Sequence, residues 1–151
     1  MVKYTDYQVV FREIPDEVTL AINISNCQNN CEGCHSSYLK ENIGKELTNN
    51  EVDSLIDANK GISCVCFMGE GNDIDTLLSL AKHVKESFKN LKVAVYSGRE
   101  KVEDEYYNIF DYVKVGPYKK EYGPLNSKKT NQRMYRVIGK DIMDITYKFW
   151  R

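Results

Sequence analysis

Excess charge of either sign is missing from this sequence: 21 lysines and arginines stand against 22 aspartates and glutamates, a net charge of −1 with histidine neutral. That balance excludes a polyelectrolyte face, and with it nucleic acid as the expected partner. No stretch approaches the roughly 20 consecutive apolar residues that a bilayer-spanning helix needs. The opening Met1-Val2-Lys3-Tyr4-Thr5-Asp6 has none of the apolar core of a secretory signal. The expectation is a cytoplasmic protein with no membrane contact. Internal repeats, low-complexity tracts and linkers are absent too, so the 151 residues read as one domain, 1–151, long enough to bury a core. Cysteines are few and odd in number, five. In a reducing compartment such thiols, when clustered, point to metal or catalysis rather than to disulfides.

Three of the five do cluster. Ser25-Asn26-Cys27-Gln28-Asn29-Asn30-Cys31-Glu32-Gly33-Cys34-His35 contains the spacing C-x3-C-x2-C. Iron–sulfur clusters are normally held by four cysteine thiolates, so Cys27, Cys31 and Cys34 supply one ligand too few to close a four-coordinate site. A cubane held this way keeps one iron open to a small molecule. The alternative is a zinc knuckle that takes His35 or another cysteine as fourth ligand. Zinc sites favour paired ligands two to four residues apart, and adjacent Cys34 and His35 do not easily reach one tetrahedral ion together. Cys64 and Cys66 lie inside an apolar run, where a free cysteine behaves as a small hydrophobe.

Periodicity organises the rest. Val18, Leu20, Ile22 and Ile24 alternate with Thr19, Ala21 and Asn23, a strand that runs straight into the cysteine segment. Thr48-Asn49-Asn50-Glu51 reads as a capping box ahead of the helical stripe Val52, Leu55, Ile56. Ile62 to Phe67 is a nearly continuous apolar run between Gly61 and Gly69, as in a strand buried on both faces of a parallel sheet. Ile74, Leu77, Leu78, Ala81, Val84 and Phe88 mark the next helix. Leu91 to Tyr96 forms a strand, Glu100 to Asn108 a short polar helix, and Tyr112 to Val115 another strand. After turn-rich residues 116–133, Met134–Ile138 and Ile142–Thr146 form a hairpin around Gly139-Lys140. Such alternation predicts an α/β fold of mainly parallel strands, with ligands at the strands' C-terminal ends. A closed eight-unit barrel takes about 250 residues, so the expectation is a partial, open (β/α) barrel whose open side faces a partner.

Cys27, Cys31 and Cys34 followed by His35 resemble the signature of the radical S-adenosylmethionine (SAM) superfamily. Within it the chain is similar to the small activating proteins of anaerobic, class III ribonucleotide reductase, a likeness carried further by Met68-Gly69-Glu70, Tyr96-Ser97-Gly98 and Thr130-Asn131-Gln132-Arg133. The resemblance implies a partial radical SAM barrel and an oxidoreductase that reductively cleaves SAM at a 4Fe–4S cluster. The deoxyadenosyl radical so formed would take a hydrogen from a glycine Cα of the reductase's large subunit. It implies cluster ligation by Cys27, Cys31 and Cys34, and backbone from Gly33 through His35 against the adenine, with His35 a wall of the pocket. Gly69 and Glu70 would meet the methionyl ammonium, in a turn whose first glycine is replaced by Met68, and Ser97 would add a further SAM contact. Implied partners are the large glycyl radical subunit and a low-potential electron donor such as flavodoxin or ferredoxin. The alternatives are an activase of another glycyl radical enzyme and a non-enzymatic zinc or iron–sulfur interaction module. Lys119, Lys120, Lys128, Lys129 and Arg133 form a basic patch, read either as a solvated face or as a dock for an acidic surface. His83, among Lys82 and Lys85, reads as solvated, and Met68 to Gly71 reads equally as a plain turn.

Overall fold

Local chemistry starts the two long helices. In the computed structural model, which describes residues 1–25 and 43–150, Thr48 is the N-cap of α1 (Asn49–Ala58) and its Oγ1 accepts the Glu51 N–H at 3.1 Å. Glu51 does not return the bond of a full capping box: its carboxylate takes the Tyr4 hydroxyl at 2.8 Å and the Lys45 ammonium at 2.6 Å. Asp73 caps α2 (Ile74–Ser87) in the same way, accepting from Thr76 N–H. Orphan amides of the first turn are thereby satisfied. The apolar stripes Val52, Leu55, Ile56 and Leu77, Leu78, Ala81, Val84 are buried, as their spacing predicts.

Eight strands among the described residues form one open sheet: β1 (Lys3–Val10), β2 (Thr19–Ile24), β3 (Lys45–Glu46), β4 (Cys64–Met68), β5 (Lys92–Tyr96), β6 (Tyr112–Val115), β7 (Arg133–Ile138) and β8 (Asp141–Asp144). Their order across the sheet is β3-β1-β2-β4-β5-β6-β7-β8. The β2, β4, β5 and β6 neighbours are parallel and in register, with Asn23 beside Met68 and Met68 beside Tyr96. The fold is therefore mixed α/β with an open sheet, and the expectation of mainly parallel strands is corrected: four of the seven pairings are antiparallel. The parallel block is central, while β1 with β3 and the β7–β8 hairpin add antiparallel margins. β1 escaped the sequence reading because Thr5, Asp6, Tyr7 and Gln8 leave its middle polar and largely exposed.

Parallel strands bury both faces here. Val65, Phe67, Val93, Val95, Val113 and Val115 face α1, α2 and α3 (Tyr106–Ile109). Cys64, Cys66, Ala94, Tyr112 and Met134 face the other way, under Ile14 and Ile145. Ile14 belongs to the connection from β1 to β2, which crosses the face turned away from α1, α2 and α3 as a strap. Glu17 pins that strap from within: its carboxylate accepts the Tyr112 hydroxyl and the Ser63 hydroxyl, each at 2.7 Å, with the Lys92 ammonium 3.4 Å away. A buried carboxylate needs such partners. The expected helix from Glu100 to Asn108 shrinks to the four residues of α3. Tertiary bonds explain it: Gly116 N–H donates to the Arg99 carbonyl at 2.6 Å, and Ser97 N–H to the Lys114 carbonyl at 2.8 Å, so the chain keeps running beside β6 after β5 ends.

Cys64 and Cys66 are fully buried, and desolvation pushes both thiols well above their ordinary range. They are core side chains. Cys64→Ala and Cys66→Ala are each expected to cost on the order of 1 kcal/mol in denaturant unfolding, with the iron content of anaerobically reconstituted protein unchanged. Cys27→Ala, Cys31→Ala and Cys34→Ala are each expected to abolish iron binding. Iron lost on replacing Cys66 in a folded protein would contradict this division.

Candidate cofactor site at the strand ends

Register brings the turns that follow β2, β4 and β5 side by side, because parallel strands in step end in step. Ser25, directly after β2, is buried and tied down: its N–H donates to the Lys3 carbonyl at 2.9 Å and its hydroxyl to the Ile43 carbonyl at 2.5 Å. Ser25 and Ile43, which flank the cysteine segment in sequence, are thus joined directly. After β4 the chain turns at Gly69 with φ of +115°, in the left-handed half of backbone space that glycine enters at little cost. The Gly69 N–H donates to the Tyr96 carbonyl at 3.1 Å. A Cβ at Gly69 would stand 3.5 Å from the Ile24 carbonyl oxygen, an ordinary contact, so conformation rather than crowding selects glycine. Gly71, also at positive φ, would bring a Cβ to 3.2 Å from Ile24 Cγ2. The two turns touch.

Glu70 stands at their centre and is only 4 % exposed. Ser97 donates its hydroxyl to Oε1 at 2.5 Å, Arg99 donates Nε to Oε1 at 3.2 Å and Nη2 to Oε2 at 2.7 Å, and the buried Tyr106 hydroxyl donates to Oε2. Two residues singled out from sequence, Glu70 and Ser97, are therefore in direct contact. Arg99 reaches further, forking onto Glu103 with two bonds of 2.9 Å. Burial, and then the Glu70 bond, raise the Tyr106 hydroxyl's pKa, so it stays a proton donor. The hydrogen bonds of Glu103 and Glu70 hold the Arg99 guanidinium protonated.

Arg99, Tyr106 and Lys114 went unnoticed in the sequence. Lys114 is the one with a signal, a lysine inside the apolar strand Tyr112-Val113-Lys114-Val115. It is buried at the C-terminal end of β6, where its ammonium donates to the Gly116 carbonyl at 2.9 Å and the Ser97 carbonyl at 3.2 Å and lies 5.6 Å from the Tyr96 ring centre. Arg99 and Tyr106 have none, since their partner Glu70 lies 29 and 36 residues away in sequence.

Other candidates fall elsewhere. His83, expected to be solvated, is half-buried, with Nε2 2.8 Å from Asp53, and links α2 to α1. Lys120, Lys128 and Lys129 are exposed, while Lys119 lies 3.5 Å from Glu100 and Arg133 3.6 Å from Asp144. Asn131 donates to the Pro117 carbonyl at 3.0 Å, which ties the residues just before β7 to the turn just after β6. A cavity of about 740 Å³ opens between the strap and the 124–126 turn, lined by Phe11, Glu13, Tyr96, Leu125 and Phe149; Glu70 and Ser97 do not line it. Cys27, Cys31, Gly33, Cys34 and His35 lie outside the described residues. Among the described residues no group of three or more His, Cys, Asp and Glu side chains could hold a metal ion, and no helix is long and apolar enough to cross a membrane.

The Arg99 bonds also set a pH response. They draw the Glu103 carboxyl down from its ordinary 4.5 to about 2. A depressed carboxyl stabilises the fold fully above its unfolded value and loses that contribution as pH falls through its folded one. Glu103→Gln is therefore expected to flatten the acid limb of stability between about pH 4.5 and 2, measured as the denaturation midpoint against pH. An acid limb equal to that of the parent protein would contradict the pair's contribution.

Residues 17–138 match the family described as the 4Fe-4S single cluster domain. No curated protein and no solved structure matches the chain. The matched span runs from Glu17, which pins the strap, through the last residue of β7, and so takes in the cysteine segment and every strand end described above. The chain thus belongs to the 4Fe-4S single cluster domain family.

Proposed function

We propose that this protein is a radical SAM activase that installs a glycyl radical on the large subunit of anaerobic ribonucleotide reductase. The observation that carries the reading is the juxtaposition at the strand ends. The segment with three thiols in eight residues follows β2, and the neighbouring turns bring a buried carboxylate, a hydroxyl and left-handed glycine backbone together. Donor chemistry fits the cluster, because three thiolates leave one iron without a protein ligand. It fits SAM through Glu70, a carboxylate for the ligand's ammonium, and through the Gly69 turn, where backbone can approach closely.

When bound, the cluster and SAM together supply a one-electron cleavage that yields a deoxyadenosyl radical and methionine. The chain's own residues bind, orient and shield. Cys27, Cys31 and Cys34 would hold the cluster, and Gly33 to His35 would lie against the adenine. Glu70, with Ser97 beside it, would fix the ammonium, and Lys114 closes the adjoining strand end. The open sheet suits a macromolecular substrate, since a primary radical must be kept from water and a partner's loop can complete the enclosure. Exposed Lys128 and Lys129 are the proposed dock for an acidic surface of that partner, and a flavodoxin or ferredoxin the proposed electron source.

Reconstituted protein mixed with SAM, a low-potential reductant and the cognate large subunit is expected to give a glycine-centred doublet by electron paramagnetic resonance. The signal should require all components. Lys128→Glu with Lys129→Glu should weaken association and lower its salt sensitivity while leaving the cluster spectrum alone. No doublet despite a reducible cluster and a verified reductase would overturn the assignment in favour of another glycyl radical partner. Stoichiometric zinc in place of iron and sulfide would indicate an interaction module.

A further inference from the structure

Glu70 has no acceptor capacity to spare. A carboxylate offers about four lone-pair sites, and Ser97, Tyr106 and the two Arg99 nitrogens fill them. An incoming ammonium must displace one donor. Ser97 and Tyr106 are fully buried, whereas the Arg99 side chain is 32 % exposed. Among these donors only Arg99 has a second carboxylate: both of its terminal nitrogens bond Glu103, whose side chain is 51 % exposed.

We infer that Arg99 is an internal counter-cation of Glu70, handed over to Glu103 when a ligand's ammonium arrives, so that it sets the threshold for amino-acid-like ligands at this site. The inference rests on the reading of Glu70 as the ammonium site. Exchange of one cation for another keeps the buried carboxylate compensated throughout, which a simple loss of Arg99 would not. Arg99 keeps a fork of two bonds on Glu103 after release, because a planar guanidinium can hold one carboxylate through paired nitrogens. Apparent ligand affinity then scales with the fraction of molecules in which Arg99 has released Glu70. The balance between Glu70 and Glu103 becomes a control on SAM binding, and one that favours ligands bearing a free ammonium.

Isothermal titration of SAM into anaerobically reconstituted protein tests this with three variants. Glu70→Gln should weaken binding about tenfold or more, through loss of a charge-assisted bond. Arg99→Met should tighten it several-fold, by removing the competitor, and Glu103→Gln should weaken it several-fold, by removing the second harbour. The two last shifts have opposite signs, which a scaffold would not produce: a merely structural Arg99 predicts weaker binding for Arg99→Met and unchanged binding for Glu103→Gln. That pattern, with Glu70→Gln still weakened, overturns the counter-cation and leaves the ammonium site standing. Unchanged affinity in Glu70→Gln overturns both. If Arg99→Met does not fold, Glu103 lies at the surface and its variant decides alone, with unchanged affinity as the contrary result.

Discussion

A carboxylate placed out of water must be compensated, and that requirement organises the strand ends of this protein. Glu70 draws donors from the residues that follow β5 and from α3. Leaving such a group without its cation costs about 3–5 kcal/mol, so the turn after β4, the chain after β5 and α3 are held as one unit. The same demand is met at the opposite, N-terminal end of the parallel strands, where Glu17 gathers Ser63, Tyr112 and Lys92 beneath the strap. One acid fixes the end where the cysteine segment begins, and the other fixes the cover over the face turned away from α1, α2 and α3.

Those two anchors explain how a short chain builds a site from an open sheet. In-register parallel pairing aligns β2, β4 and β5, so Ser25, Gly69 and Ser97 follow strands that end together. The antiparallel margins do not contribute to this alignment; they extend the sheet and bring Met134 and Ile145 over its second face. The cluster-binding family is shown by the match over residues 17–138. The proposed SAM chemistry rests on what converges at the strand ends.

Legibility in the sequence followed the range of the interactions. Thr48 as a helix cap, the apolar run into β4 and the hairpin at Gly139-Lys140 depend on neighbours a few residues away, and these elements stand where the pattern put them. β1 did not announce itself, because its polar middle borders the surface. The helix expected at Glu100 was overridden by Gly116 bonding the Arg99 carbonyl, a tertiary contact that no local propensity encodes. For the site, Glu70 and Ser97 were each visible as strand-end residues, but their mutual bond was not. Arg99 and Tyr106 carry no motif and act only through distant Glu70. The cysteine spacing was the plainest signal in the chain, and it lies outside the described residues.

The central claim is that the cluster's open iron and the Glu70 turn meet one ligand, SAM. Electron paramagnetic resonance of the reduced, reconstituted protein, recorded before and after addition of saturating SAM, tests it most directly. The account predicts a 4Fe–4S signal whose g-values shift on adding SAM, and a smaller shift at the same SAM concentration in Glu70→Gln. A reduced-cluster signal indifferent to saturating SAM would contradict it.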